Sequence, residues 1–130
     1  MSFRLAVERS RVFAAVAPVS GGYTGPLTED PGYMPTRPVP VLTILGSEDG
    51  ITPYALAGID RWRKRLHCVT VDRDDRPGKY TSTKSWCADG SRVHTYVVAG
   101  MGHEWPDDAD YAVDATDVAW NFLKKYRRFY

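Results

Sequence analysis

The sequence predicts a domain of the α/β class, with about three parallel strands, helices and an extra β-hairpin. Near-continuous apolar runs, typical of parallel strands covered on both faces, occur at Val39–Gly46 and Phe13–Ala17. An amphipathic stretch, Ala55–Leu66, follows the first of these, and a further strand, Arg92–Val98, precedes a C-terminal helix. Strands that alternate with helices favour a mainly parallel sheet. Because so few strands are visible, we expect one edge of a larger sheet.

The N-terminal part predicts a helix over "MSFRLAVERSR", with Met1, Leu5 and Val12 on one face. The strand Phe13–Ala17 follows and is ended by a proline and two glycines. The next segment, from Tyr23 to Pro38, is rich in Pro and Gly and is predicted to be irregular.

The C-terminal half predicts a hairpin and a capped helix. "CVTVD" and "KYTSTKSW" are β-like and are joined by the turn-rich "RDDRPG". The last helix is predicted over "DATDVAWNFLKKYRRF", with Asp114 as its N-cap and Asp117 three residues on. Its apolar side is predicted to consist of Val118, Phe122, Tyr126 and Phe129, and the predicted core includes Trp62, Trp120 and Phe122.

Composition indicates one globular unit over residues 1–130, because 43% of the residues are hydrophobic and 25% are charged. The net charge of +1 supplies no strong positive field, so neither nucleic acid nor a membrane surface is expected as a partner. The basic cluster Lys124–Arg128 lies where the last helix should end, and cations there offset the helix dipole. No run approaches the roughly 20 apolar residues of a membrane span, and no signal peptide is expected in this chain.

No cofactor or metal is predicted. The aspartates between positions 107 and 114 lack the spacing, the glycine and the closing glutamate of an EF-hand loop. No cysteine and histidine spacing fits zinc, and the sequence has no glycine-rich phosphate loop.

Cys68 and Cys87 are the two cysteines of the chain and lie 19 positions apart, on either side of the predicted hairpin. They are compatible with a disulfide or with two separate buried thiols. We favour the disulfide.

Candidate catalytic residues follow two of the predicted strands. Glu48 and Asp49 come after the first strong strand, and His103 comes after the last. Sites in open α/β sheets lie at the carboxyl ends of strands, so an Asp carboxylate there can reach and orient the imidazole. Gly100 and Gly102 allow the sharp turn that brings the ring close. The alternative is a capping Asp in one loop and an unrelated surface histidine in the other.

Four blocks carry a resemblance to a known family: "RLAVERSRVFAAVAPVSG", "RPVPVLTILGSEDGITPY", "CADGSRVHTYVVAGMGHEWP" and "DATDVAWNFL". In this order they resemble the polyhydroxybutyrate depolymerase and feruloyl esterase-like group, serine esterases of the α/β-hydrolase fold. The likeness extends from Met1 to Leu123 and is weakest in residues 23–36 and 72–85. It implies that the sheet is the C-terminal part of an α/β-hydrolase sheet.

The resemblance implies roles for individual residues. The acid of the family's Ser, Asp, His triad falls on Asp49 of "GSEDGITPY", and Glu48 takes the adjacent, non-catalytic position. The base falls on His103 of "MGHEWP", where Met101 stands in place of the family's usual glycine. The order of acid before base agrees with the α/β-hydrolase chain order.

The nucleophile is expected outside this chain. "MSFRLAVER" resembles the helix that follows the family's G-x-S-x-G elbow, so residues 1–130 are expected to be a partial domain without the N-terminal strands, the elbow and the oxyanion-hole amides. Ser2, Ser10, Ser20 and Ser47 do not lie in such an elbow. We expect no activity from the chain alone, and a missing N-terminal segment as a partner.

The implied function is hydrolysis of a carboxylic ester through an acyl-enzyme. The implied substrates are hydroxyalkanoate polyesters or oligomers, or hydroxycinnamoyl esters, and the implied location is extracellular. Trp105 is a candidate substrate-binding residue at the cleft; the alternative is a ring that packs the loop against the core. The alternative function is a non-catalytic structural or interaction domain derived from a hydrolase.

Overall fold

The computed structural model describes residues 1–128 and shows an α/β fold with helices and one mixed sheet. The helices are α1 (Ser2–Glu8), α2 (Thr52–Arg65) and α3 (Ala115–Leu123), with a 3₁₀ turn at Pro26–Glu29. The strands are β1 (Val41–Gly46), β2 (Val69–Arg76), β3 (Tyr80–Trp86) and β4 (Arg92–Val98). Within the described part of the chain, no helix is long and apolar enough to cross a membrane.

The sheet has the strand order β1-β4-β3-β2, and only β1 and β4 run parallel. The expectation of about three parallel strands is therefore wrong. The predicted hairpin forms as β2 and β3, but it continues the same sheet, antiparallel to β4. A short connection from β3 to β4 forces this antiparallel direction, because a parallel crossover needs a dozen or more residues.

The predicted strand Phe13–Ala17 does not form. Its region makes isolated parallel bridges from Val16 and Val19 to β1. Pro18 lies between them and has no amide hydrogen to donate, so a regular ladder is interrupted there.

Helix α1 buries a different face from the one predicted. Phe3 and Ala6 are buried, whereas Met1 is 91% and Val12 is 54% exposed. The helix ends at Glu8, so Val12 lies beyond it. Phe3 packs edge-on against Trp62 of α2, with the ring centroids 5.2 Å apart.

Two hydrophobic clusters lie on opposite faces of the sheet. One joins α1 and α2 to alternate residues of β1 and β4, with Trp62 fully buried. The other packs α3 on the opposite face through Phe122, beside Leu42 and Ile44. Both clusters pack against β1 and β4 and so hold in place the two strands that precede Asp49 and His103.

Helix α3 begins as predicted, since the Asp114 side chain accepts a hydrogen bond from the Asp117 amide at 3.0 Å. The predicted core position of Trp120 is wrong, because that ring is 63% exposed. Trp120 lies two residues before Phe122 and so points to another side of the helix. Phe129, predicted on the apolar side, lies outside the described residues.

The disulfide between Cys68 and Cys87 is present and confirms that prediction. It ties the segment after α2 to the connection between β3 and β4. The covalent bond therefore holds the hairpin beside the helix that follows the candidate acid.

Candidate active site

The site lies where β1 and β4 end side by side. In the parallel pair Gly46 is in register with Val98, so the loops that follow both strands leave from the same edge of the sheet. The Ser47 amide donates to the Val98 carbonyl at 3.0 Å, and the Ser47 hydroxyl accepts from the Gly100 amide at 2.8 Å. The two loops are thus joined by hydrogen bonds before either reaches its candidate catalytic residue.

Met101 anchors the histidine loop from within. Its side chain is fully buried in the cluster under α3, and its carbonyl accepts from the Glu48 amide at 2.9 Å. The left-handed position of the turn is Gly100, with φ of 77°, and Met101 is not among the residues with positive φ. A methionine at this position is therefore accommodated without backbone strain.

Asp49 is a buried carboxylate with two hydrogen-bond partners. Its side chain is 4% exposed. Oδ1 accepts from the Ile51 amide at 3.0 Å, and Oδ2 lies 2.8 Å from Nδ1 of His103. The carboxylate thus both caps the turn before α2 and contacts the imidazole ring.

His103 presents its other nitrogen to solvent. The side chain is 66% exposed, and Nε2 has no hydrogen-bond partner among the described residues. A neutral ring whose Nδ1–H donates to Asp49 leaves an acceptor lone pair on Nε2. This arrangement can take a proton from a hydroxyl and can stabilise the resulting imidazolium.

Sequence reasoning missed the residues that support the histidine loop. The Ser20 hydroxyl donates to the Glu104 carbonyl at 2.7 Å. The Glu104 carboxylate accepts from the Tyr111 hydroxyl at 2.6 Å and from the Gly102 amide at 3.0 Å. These bonds, the one from Tyr111 first, lower the pKa of Glu104. No spacing signal connects these positions, which are up to 84 residues apart.

Trp105 is 59% exposed, and its Nε1–H donates to the Thr116 hydroxyl at 3.2 Å. The ring therefore lies against the first turn of α3 with much of its surface open to solvent.

Three of the serines that the sequence analysis names are engaged elsewhere. Ser10 is buried and bonds to Thr36. Ser47 bonds to Gly100, and Ser20 to Glu104. Within residues 1–128, no serine hydroxyl forms a hydrogen bond to His103. No group of three or more His, Cys, Asp or Glu side chains in that range is arranged to hold a metal ion.

A cavity of about 460 Å³ lies between the start of α1 and the segment that follows Asp49. Its lining includes Met1, Gly22, Ile51 and Tyr54. The N-terminal end of α1 and the start of α2 therefore border one open space.

Comparison with known proteins gives a distant relationship. No protein-family model matches the chain. The chain is similar to the protein named "Putative esterase NocK" from Nocardia uniformis subsp. tsuyamanensis, with 31% identity over a 137-residue alignment that covers 82% of this chain. The alignment covers 39% of that relative, so the chain corresponds to well under half of its length. The chain is thus a distant homologue of a protein named as an esterase.

Proposed function

We propose that the chain carries the acid and the base of a serine carboxylesterase, Asp49 and His103. The observation that carries the proposal is the 2.8 Å contact between Oδ2 of Asp49 and Nδ1 of His103 at the carboxyl edge of the sheet. The carboxylate is shielded while the ring is open to solvent. This is the division that an orienting acid and a working base require. Homology to a protein named as an esterase supports the same activity.

The chemistry follows from the hydrogen bonds of Asp49 and from the exposed nitrogen of His103. Nε2 of His103 takes the proton of a serine hydroxyl as its oxygen attacks the ester carbonyl, and Asp49 stabilises the imidazolium. The same proton passes to the alkoxide as the C–O bond breaks, which leaves an acyl-enzyme. A water molecule, deprotonated by His103, then releases the carboxylic acid and restores the serine.

The nucleophile is proposed to come from polypeptide outside these 130 residues. The chain spans 39% of its relative, and none of its described serines reaches His103. The resemblance to the depolymerase and feruloyl esterase group implies a G-x-S-x-G elbow before a helix like α1, which supports this proposal. The cavity that joins the start of α1 to the segment after Asp49 offers space for the attacking residue and for an acyl group.

The proposed substrates are the esters that the resemblance implies, hydroxyalkanoate oligomers or hydroxycinnamoyl esters. The exposed Trp105 is proposed to border the cleft, because an amphipathic ring beside the base can contact an acyl chain. The disulfide fits the extracellular location that we propose, since such bonds persist in oxidising compartments.

The test is p-nitrophenyl butyrate hydrolysis by two proteins. One is the 130-residue chain; the other is the same chain fused behind the N-terminal part of NocK that precedes the matched region. We expect turnover from the fusion and none from the chain alone. His103→Ala should abolish it, and Asp49→Asn should lower kcat by about 10³–10⁴-fold.

His67→Ala is the matched control, because His67 follows the C-terminal end of α2, whereas Asp49 precedes its N-terminal end, and it should leave the rate unchanged. A serine-directed phosphonate should label the fusion only when His103 is intact. A folded fusion that neither turns over ester nor reacts with the phosphonate would instead favour a non-catalytic interaction domain.

A further inference from the structure

The outer edge of β2 is open, whereas the opposite edge of the sheet is covered. Beside β1, the segment that contains Val16 and Val19 makes parallel bridges to the strand. Within residues 1–128, β2 pairs with β3 and with no other segment, and seven of its eight residues are exposed. An edge strand presents unpaired N–H and C=O groups, so β2 is a template on which another strand can add.

The regular part of β2 is short and has a defined centre. A bulge between Thr70 and Asp72 interrupts the pairing near the start of the strand, and the strand ends at Arg76. Residues 72–76 remain, with Asp74 at their midpoint. A second copy that pairs antiparallel along this whole segment is related to the first by a two-fold axis at Asp74. Such an axis is normal to the sheet and keeps every residue on its own face.

The charges of the segment are complementary in that register. The segment reads Asp-Arg-Asp-Asp-Arg. Asp72 of one copy therefore lies opposite Arg76 of the other, and Arg73 lies opposite Asp75. Each of these two pairs occurs twice about the axis, which gives four pairs of opposite charge. Opposite charges directly across two strands stabilise a sheet, whereas like charges there destabilise it.

The charged side chains are available for these pairs. Asp72 and Arg73 form no ion pair within the described residues, although Lys84 is in register with Asp72. Asp75 accepts a hydrogen bond from the Thr81 hydroxyl through Oδ1, and its Oδ2 has no partner in that part of the chain. The edge therefore carries unpaired charges of both signs rather than an excess of one sign.

The one unfavourable contact in this register is that of the two Asp74 carboxylates at the axis. Within each copy, Nε of Arg76 pairs with Oδ2 of Asp74 at 3.0 Å. This cation offsets the repulsion between the carboxylates. The terminal nitrogens of the same guanidinium remain for Asp72 of the other copy, because the group has five N–H donors.

Neighbouring registers are less favourable. An axis at Arg73 sets the two arginines opposite each other and sets each Asp72 opposite Asp74. An axis at Asp75 retains two pairs of opposite charge, but it shortens the paired segment to residues 74–76. The axis at Asp74 thus gives both the longest ladder and the largest number of opposite-charge pairs.

We propose that β2 pairs with β2 of a second copy of this chain, antiparallel about Asp74, and joins the two sheets into one. Charges on an edge strand commonly prevent pairing, but here their order selects one partner in one register. A single strand pair is small beside the roughly 1,000 Å² of a stable interface, so the dimer is weak and concentration-dependent. Because β3 separates β2 from the strands that precede Asp49 and His103, the interface does not depend on the proposed esterase activity.

The first test is sedimentation equilibrium of the 130-residue chain, which should show monomers and dimers in exchange. Arg73→Asp and Asp75→Arg each set like charges opposite each other and should weaken the dimer at least about tenfold. Both changes in one chain restore the opposite charges, so the double variant should associate within about threefold of the parent. Arg11→Asp, an equal change of charge at an exposed residue outside β2, is the matched control and should not alter association.

A single added cysteine tests the register, because both native cysteines are held in the disulfide. Asp74→Cys places a thiol at the axis, where opposite Cα atoms are about 4.5–5.5 Å apart, within reach of a disulfide between copies. We expect a covalent dimer from this variant on oxidation. Asp72→Cys is the control on the same strand and face. Its two copies lie four residues apart along the strands, or roughly 13 Å, and should not cross-link.

Three results would overturn the proposal. One is a parent chain that stays monomeric at every concentration and an Asp74→Cys variant that does not cross-link; the charges would then protect the edge from pairing. Another is equal cross-linking of Asp74→Cys and Asp72→Cys, which the register forbids. The third is association that neither Arg73→Asp nor Asp75→Arg weakens, because the interface would then lie elsewhere.

Discussion

The carbonyl of Met101 lies directly over Gly46, the last residue of β1. A Cβ built at Gly46 would lie 2.1 Å from the Met101 oxygen and 2.6 Å from the Gly102 oxygen. Only a residue without a side chain lets the histidine loop cross the end of β1 at this distance. The close approach of Gly46 and Met101 therefore sets how near His103 comes to Asp49.

Gly46→Ala should displace the loop, because both obstructing atoms belong to backbone. We expect a loss of about 1–3 kcal/mol in the free energy of unfolding. The displacement should also break the hydrogen bond between Nδ1 of His103 and Asp49. Urea unfolding measures the first effect, and the imidazole Nδ1 proton resonance reports the second. Gly50→Ala is the control, since a Cβ there meets nothing within 4 Å, and an equal effect of both changes would refute the explanation.

Tyr111→Phe should loosen the histidine loop without altering the core. The Tyr111 hydroxyl donates a hydrogen bond to the Glu104 carboxylate. This bond is the largest cause of the lowered pKa of that carboxyl. We expect the pKa of Glu104 to rise and hydrogen exchange at the Gly102 amide to become faster, both measured by NMR. Tyr54→Phe, at an exposed tyrosine with no bond to Glu104, should change neither. An unchanged pKa of Glu104 in Tyr111→Phe would contradict this account.

His94 should make the protein less stable in acid. Burial first, and then the cations of Lys84, Lys125 and Arg92, lower the pKa of His94 from 6.5 to about 4. At pH values between 4 and 6.5, the His94 imidazole is protonated in the unfolded chain and neutral in the folded protein. The stabilisation is therefore complete above pH 6.5 and is lost as the pH falls towards 4. The half-buried ring reduces the effect by solvent screening to about 1–2 kcal/mol.

The comparison that isolates this effect is His94→Gln against the parent chain, by urea unfolding at pH 7 and pH 4.5. Carboxylates titrate in both proteins, so the difference between their pH slopes belongs to His94. We expect the variant to lose less stability on acidification. Identical pH slopes for His94→Gln and the parent would show that folding does not lower the pKa of His94.

Loss of the disulfide should lower stability without changing the fold. The bond closes a loop over a separation of 19 residues, for which restriction of the unfolded chain corresponds to about 3 kcal/mol. The double change Cys68→Ala and Cys87→Ala should lower the unfolding free energy by that amount in urea. The parent chain reduced with dithiothreitol should behave alike. Full stability of both the double variant and the reduced parent chain would show that the cross-link restricts the unfolded chain little.

Local signals predicted much of this fold. The apolar run of β1, the hairpin of β2 and β3, and the N-cap of α3 at Asp114 each depend on neighbours in sequence, and each is present. The positions of Cys68 and Cys87 around the hairpin favour the disulfide, which is present. Parallel neighbouring strands end at the same edge of a sheet, and the strands that precede Asp49 and His103 do pair in parallel.

Other features depended on contacts that no local pattern encodes. The predicted face of α1 is wrong because the aromatic ring of Trp62 lies over Phe3. The predicted core position of Trp120 is wrong because hydrophobicity alone does not tell which side of α3 meets the sheet. The supports of the histidine loop were not predicted, since Ser20 and Glu104 are 84 residues apart and meet only after folding.

The sequence by itself determined most of the segments that form helices and strands, and which residue types stand at the ends of β1 and β4. Those properties depend on hydrophobic period, on capping groups and on turn residues within a few positions. The tertiary structure decided that β4 pairs in parallel with β1 and that Asp49 is buried. It also set the distance from that carboxylate to His103. These depend on packing between segments distant along the chain, where backbone atoms such as the Met101 carbonyl over Gly46 leave room for one arrangement.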